Sequence, residues 1–390
     1  MISFVSKKSL RSKQKNIESS ANPKKVLVFG ITENPGGVES VIMNYYRHID
    51  REKVQFDFLC NTKDVAYENE IKKLGGKIYR ITPRCESKIR FYKDLKKFFS
   101  EKSMEYSTIW VNVCSLANID YLKYAKKYGI SKRIIHAHNS QNMDSFFRGM
   151  LHKFNKIVLT KYATDFWSCS EDASKWFYNK KIKLSDKYFI VKNAIDINEF
   201  KYNETVRNEY RKKLNLDGKL VIGNVGRFHF EKNQMFLIKV FNELQKKEKK
   251  SVLLLVGDGE DREDIMNKVK EYQLTDNVIF LGVRDDVQNL MQAMDVFVFP
   301  SIFEGLGIVA IEAQVSGLPV IASNKVIPEE VCIDKEIFEF VDLDKGEKYW
   351  AEKILNLAKK VDTRRSKLNL FEEKHYSIEK EVKKVEEKLC

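Results

Sequence analysis

Short runs of β-branched, aliphatic and aromatic residues alternate along this chain with stretches whose apolar positions recur every three to four residues. In the first half the runs near 26–31, 54–60, 76–81, 107–113, 132–137, 165–169 and 187–191 predict strands. Between the first two, Val38, Val41, Ile42, Tyr45 and Ile49 share one face of a predicted helix. A polar, mostly helical stretch from Asp196 to about Gly218 follows, and the pattern then restarts at Leu220-Val-Ile-Gly-Asn-Val-Gly226. Further strands are predicted near 252–256, 278–281, 296–299, 318–322 and 338–341, with Leu237, Val240, Phe241 and Leu244 as one helical stripe among them. Strands that alternate with helices predict an α/β chain with parallel sheets. The restart predicts two doubly wound domains, 25–195 and 196–365. A basic tail (1–24) precedes them, and a charged segment (366–390) is read as a terminal helix. Ligands of such sheets sit outside the carboxyl ends of the strands, so two such domains facing each other would enclose a cleft.

Composition narrows the class. With 43% hydrophobic and 32% charged residues, the 390-residue chain reads as folded, and no apolar stretch is long enough to predict a membrane span. The tail lacks the apolar core of a secretory signal, and the six cysteines are scattered without a CxxC pair. A reduced, cytoplasmic protein is expected, with neither a disulfide scaffold nor structural zinc. Charge is lopsided: residues 1–200 hold 37 Lys+Arg against 21 Asp+Glu, a net of +16, while the remainder (69 − 37 = 32 against 55 − 21 = 34) nets −2. The first half is read either as facing anionic partners or as carrying the surface lysines of a lysine-rich proteome. Nucleic acid is not among those expected, because aromatic and basic residues are not interleaved as in any recognised module.

The chemistry-bearing motifs fall at predicted strand ends. Asn34-Pro-Gly-Gly-Val-Glu-Ser40 follows the first strand, where Gly36 and Gly37 would let backbone approach a phosphate or simply make a tight turn. Glu39 is read as favouring the start of the helix behind them. Val225-Gly-Arg227…Lys232 places two cations around a short strand-to-helix loop, a layout suited to gripping a diphosphate. Val256-Gly-Asp-Gly259 is weaker, and a packing turn is the preferred reading. In Phe299-Pro-Ser-Ile-Phe-Glu304-Gly-Leu-Gly-Ile-Val-Ala-Ile-Glu312, Glu304 is expected in a loop and Glu312 on the second turn of a helix starting near Gly307. The amides at that start can hold an anionic or hydroxyl-rich ligand. Alternatively, the two glutamates only cap and solvate the helix. Ile134-Ile-His136-Ala-His138-Asn139 ends a strand, and its two histidines point the same way, so alternation does not choose between them.

Taken in order, Gly36-Gly-Val-Glu39, Gly226-Arg227…Lys232-Asn233, Val256-Gly-Asp-Gly259, Phe280-Leu-Gly282, Asp295…Phe299-Pro-Ser301 and Glu304-Gly-Leu-Gly…Glu312-Ala…Gly317-Leu-Pro-Val320 resemble the family 4 retaining glycosyltransferases over residues 25–390. The resemblance implies the GT-B fold, two Rossmann-like domains with the active site between them and a final helix crossing back to the first. It further implies a nucleotide-sugar donor as co-substrate, UDP-sugar being the commonest, held mainly by the second domain. Arg227 and Lys232 would hold the diphosphate and Glu312 the ribose. Glu304 would face the donor sugar, assisted by backbone at Gly305, Leu306, Gly307 and Ile308, while Val283 and Arg284 would pass beside the base. His138 fits the family's donor-facing histidine better than His136 does, and Gly36 and Gly37 would close on the diphosphate from the first domain. No metal and no other cofactor is expected: the one Asp-x-Asp, Asp342-Leu-Asp344, lies late in the chain, and the two cations already supply positive charge.

The acceptor is implied to be a glycan or lipid-linked saccharide of a bacterial capsule or exopolysaccharide. Residues 143–164 form a basic amphipathic pattern open to two readings: a helix packed into the core, or docking on an anionic leaflet. The second reading would place the protein at the inner face of the plasma membrane. Two other classes remain, a nucleotide-sugar epimerase of the same fold and a non-catalytic nucleotide-sugar-binding subunit.

Overall fold

Val26, Leu27 and Val28 are all fully buried, because the strand that carries them, β1 (Lys24–Phe29), lies at the centre of a sheet covered on both faces. The computed structural model describes residues 22–139, 146–304, 306–360 and 363–390. The expected tail falls almost wholly outside them.

β1 is followed by α1 (Gly37–His48), β2 (Val54–Cys60), α2 (Glu68–Lys73), β3 (Ile78–Arg80), α3 (Lys88–Lys102), β4 (Thr108–Val113) and α4 (Asp120–Lys127). Then come β5 (Lys132–Ala137), α5 (Phe146–Val158), β6 (Asp165–Ser168), α6 (Glu171–Phe177), α7 (Lys180–Lys183) and β7 (Tyr188–Ile190). The seven strands form a parallel sheet in the order β3-β2-β1-β4-β5-β6-β7, so strand order reverses between β1 and β4.

Helices α8 (Ile197–Phe200) and α9 (Glu204–Lys213) lead out of this unit, capped by the side chains of Asp196 and Asn203. The second sheet alternates β8 (Leu220–Val225), α10 (Gln234–Lys247), β9 (Ser251–Val256), α11 (Arg262–Glu271), β10 (Val278–Gly282), α12 (Val287–Ala293) and β11 (Val296–Phe299). It continues with α13 (Ile308–Val315), β12 (Val320–Ser323), β13 (Phe338–Val341) and α14 (Gly346–Lys360). Its order is β10-β9-β8-β11-β12-β13, again parallel, with the reversal between β8 and β11. All thirteen strands lie where the hydrophobic pattern places them.

The end of the chain is not one helix. It divides into α15 (Leu368–Glu373) and α16 (Ile378–Leu389), with His375 in the left-handed region at φ 64 between them. The break has a packing reason. Phe371 and Tyr376 bury in the second unit, whereas Ile378, Val382, Val385 and Leu389 bury against α1 and the first sheet. Each such aliphatic side chain contributes about 2 kcal/mol by burial. The two chain crossings run side by side: Ile195 N–H donates to Tyr376 O at 2.9 Å, and Ile378 N–H to Ile195 O at 3.0 Å. Half-buried Arg364 fastens the second crossing, donating to the carbonyls of Met291, Gln292, Met294 and Ser316.

Candidate active site

The strand order reverses between β8 and β11, and ligands of doubly wound sheets bind outside the carboxyl ends of strands at such a reversal. Arg227 and Lys232 leave β8 on a loop that closes with the 3-10 turn Phe230–Lys232. Glu304 leaves β11 on a second loop. The loops are tied together, since Ile302 N–H donates to Glu231 O at 2.7 Å and Asn233 Nδ2 to Pro300 O at 3.1 Å. That tie sets Lys232 Nζ 2.5 Å from Glu304 Oε1, with Ser301 Oγ donating to the same oxygen at 2.9 Å. The Glu304 side chain is only 7% exposed and that of Lys232 26%, so the pair is shielded where a charged ligand would exchange with it.

Arg227 is far more open and reaches Glu260 only at 3.8 Å. The glycines of Val256-Gly-Asp-Gly259 support this loop instead of offering a ligand turn. A Cβ on Gly257 would stand 2.1 Å from Gly226 O, and one on Gly259 2.2 Å from Phe228 O.

α13 starts at Gly307, whose φ of +82 and closeness to Phe299 leave no room for a side chain. Among the described residues no side chain caps this helix, so its first amides are left without a side-chain acceptor. Leu306 turns into the core and offers only backbone, and Ile308 packs against the cores of both units at their junction. Gly305 lies outside the described residues. Glu312 sits on the second turn, half-buried; burial, reinforced by the nearby Glu199 charge, pushes its carboxyl up to about 7. Val283 is 73% exposed. The Arg284 guanidinium is spent on a two-pronged contact with Asp286 at 2.7 and 2.6 Å, leaving the backbone of this segment to face a ligand.

The first unit has its own reversal, between β1 and β4. Gly36 precedes α1, where again no side chain caps the helix, and a Cβ on Gly37 would meet nothing within 4 Å. Glu39 does more than favour the helix start. It is buried, and its Oε1 accepts from Thr32 Oγ1 at 2.5 Å and Thr32 N–H at 3.2 Å, pinning the loop in front of the glycines.

His138 stands beyond the end of β5. Its Nε2 lies 2.9 Å from Asn112 Oδ1, and His136 Nδ1 reaches the same oxygen at 3.0 Å. Asn112 Nδ2 donates to Phe29 O at 3.1 Å, so Oδ1 is the acceptor and both imidazoles meet it as N–H donors. Burial pushes His138 down to about 3 and holds His136 well below its ordinary range, so both rings are neutral. Asn112, the residue that fixes both tautomers, has no sequence signal except its place on a strand at the reversal. Gly30 is required beside it, since a Cβ there would approach Asn112 Cβ to 2.6 Å.

The structure thus brings Lys232, Glu304 and the start of α13 together, and separately joins His138 to Asn112. Among the described contacts none links His138 directly to Lys232 or Glu304. Asp342, of the Asp-x-Asp, directly follows β13 and is engaged by Asn324 Nδ2 at 3.0 Å. Among the described residues no group of three or more His, Cys, Asp or Glu side chains is placed to hold a metal ion.

Comparison with known proteins bears on this site. Residues 206–366 match the glycosyl transferases group 1 family. A Bacillus subtilis (strain 168) protein named as a glycosyltransferase, EpsF, is 32% identical over 331 residues, covering 83% of this chain and 85% of the relative. The Escherichia coli UDP-Gal:alpha-D-GlcNAc-diphosphoundecaprenol alpha-1,3-galactosyltransferase is 29% identical over 195 residues, 49% of this chain and 50% of its own length. Among solved structures, Anabaena HepE in complex with UDP and glucose superposes with a TM-score of 0.76 at 18% identity, over 94% of this chain and 99% of that one. At that identity the match shows a shared fold.

Proposed function

The chain belongs to the group 1 glycosyltransferases and has their GT-B fold, and from that premise we propose that it transfers a sugar from a nucleotide-sugar donor, a UDP-sugar, with retention of anomeric configuration and without a metal ion. The acceptor in this reading is a glycan or lipid-linked saccharide of a surface polysaccharide, and the enzyme works on the cytoplasmic side of the membrane. The observation that carries the proposal is the meeting of Lys232, Glu304 and the start of α13 at one strand-order reversal, with Arg227 on the same loop as Lys232 and Glu312 one turn into α13.

In this reading the donor diphosphate displaces Glu304 from Lys232 and lies between Lys232, Arg227 and the first amides of α13. Breaking the anomeric C–O bond places negative charge on the leaving phosphate, where these fixed donors stabilise it. The anomeric carbon becomes oxocarbenium-like. The acceptor hydroxyl attacks from the face that the phosphate leaves, and its proton passes to that phosphate. Neutral His138 donates from no charged form and serves as a contact to the transferring sugar. Glu312 accepts from the ribose hydroxyls.

A UDP partner is favoured by the complexes of HepE with UDP, and a lipid-diphosphate acceptor by the activity for which the Escherichia coli relative is named. The test is release of nucleoside diphosphate from a panel of nucleotide sugars, with and without EDTA, followed by NMR of the product's anomeric proton. Turnover that survives chelation with the donor's configuration kept is expected. Turnover abolished by EDTA, or an inverted product, overturns the corresponding part.

A further inference from the structure

α5 is built inside out. Polar side chains hold its inner face: His152 Nδ1 accepts from Leu116 N–H at 3.1 Å, its ring stacks on Trp176 at 3.9 Å, and Asn155 Nδ2 donates to Leu116 O at 2.7 Å. Lys156 Nζ completes this face by donating to Trp176 O at 2.5 Å. The outer face is apolar: Phe146 is 76% exposed, Phe147 72%, Phe154 63% and Ile157 78%, with Met150 and Leu151 about half exposed. At about 100° per residue these six side chains cover an arc of roughly 140°. This overturns the core-packed reading of residues 143–164, within the part of that segment that is described. A cavity of about 240 Å³ between α5 and α6, lined by Phe146, Gly149, Met150, His152, Lys153 and Trp176, carries the apolar surface inward.

Charge identifies what covers this face. Residues 146–161 hold Arg148, Lys153, Lys156 and Lys161 and no carboxylate. Lys126 of α4 adds another cation at the far end, its Nζ on Lys161 O at 2.7 Å. A second copy of the chain would set lysines against lysines, whereas an anionic leaflet offers phosphate to the cations and hydrocarbon to the aromatic rings.

We propose that α5 lies in the headgroup region of an anionic bilayer, with Phe147, Phe154 and Ile157 directed at the acyl chains and Lys153 and Lys161 at the lipid phosphates. The inference rests on the reading of a lipid-linked acceptor and deepens it by naming the surface. α5 is the next helix after β5, beyond whose end stands His138, so a docked α5 brings the first wall of the cleft to the bilayer.

The experiment is flotation of the full chain with phosphatidylglycerol vesicles or with phosphatidylcholine vesicles, for the wild type and for Phe147→Ser/Phe154→Ser. The wild type should float with phosphatidylglycerol and at least about tenfold less with phosphatidylcholine, and the double variant should lose about tenfold with phosphatidylglycerol. UDP titration of the same samples should be equal in both, which separates failure of the donor site from failure of docking. A wild type that stays in solution with phosphatidylglycerol overturns the proposal, and so does a variant that floats equally well. Dissociation of a dimer by the two substitutions, with vesicle binding unchanged, would assign the face to a second copy instead.

Discussion

Lys232 Nζ and Glu304 Oε1 are 2.5 Å apart although they belong to different loops, one leaving β8 and the other β11. Each is the other's counter-charge in a shielded corner, so the two cannot be treated as independent solvated groups. In the proposed function, donor binding exchanges this ion pair for one between lysine and diphosphate.

Lys232→Ala therefore removes a diphosphate contact and strands the Glu304 carboxylate. It should lower kcat/KM for the donor about 100- to 1,000-fold, the scale of losing one fixed donor to developing charge. Lys232→Arg should recover part of that loss. Measuring nucleoside diphosphate release at several donor concentrations checks both, and an alanine variant with unchanged kcat/KM would remove Lys232 from the site.

Glu312 introduces a pH dependence whose sign follows from burial. Its carboxyl is raised from 4.5 to about 7, so the fold favours the protonated form. Its cost to stability is absent below about pH 4.5, grows as the pH rises, and is complete above about pH 7. Glu312→Gln should raise Tm at pH 8 and have little effect on it at pH 4.5. In the proposed function the ionised Glu312 accepts the ribose hydroxyls, so donor affinity of the wild type should fall below pH 7 by up to about tenfold per pH unit. The glutamine variant should bind more weakly and without that slope; calorimetric titration across the pH range reads both.

Asn112 holds His136 and His138 in one tautomer each, and both imidazoles are neutral. Asn112→Asp would place a carboxylate against both rings and favour imidazolium. It should cost about 10- to 100-fold in kcat and add a new acidic limb to the pH–rate profile, because a protonated, reoriented His138 no longer meets the sugar as built. A mere loss of stability would lower the yield of active enzyme without adding that limb.

The hydrophobic pattern reveals the strands because those inside each sheet are buried on both faces, and all are bounded by polar helical stretches. Motifs at strand ends are legible for a related reason: a reversal of strand order needs loops, and those at Gly257 and Gly307 need glycine to clear backbone or Phe299. What stays hidden is partnership across the fold. Asn112 looks like any strand residue until β5 brings two imidazoles to it. Glu39 looks like a helix-start charge until the loop folds Thr32 onto it. α5 defeats the periodicity argument outright, since amphipathicity tells that a helix has two faces and not which one is buried; His152 and Asn155 decide it. The last segment reads as one helix because its polarity hides that Phe371 and Ile378 serve different cores.

The central claim is that a nucleotide-sugar diphosphate is held by Arg227 and Lys232. Isothermal titration of UDP into the wild type and into Arg227→Ala/Lys232→Ala tests it most directly. The account predicts saturable binding by the wild type and a loss of at least about 100-fold in the double variant, which removes two charge-assisted contacts. Equal affinity in the two proteins, with both folded, would contradict it.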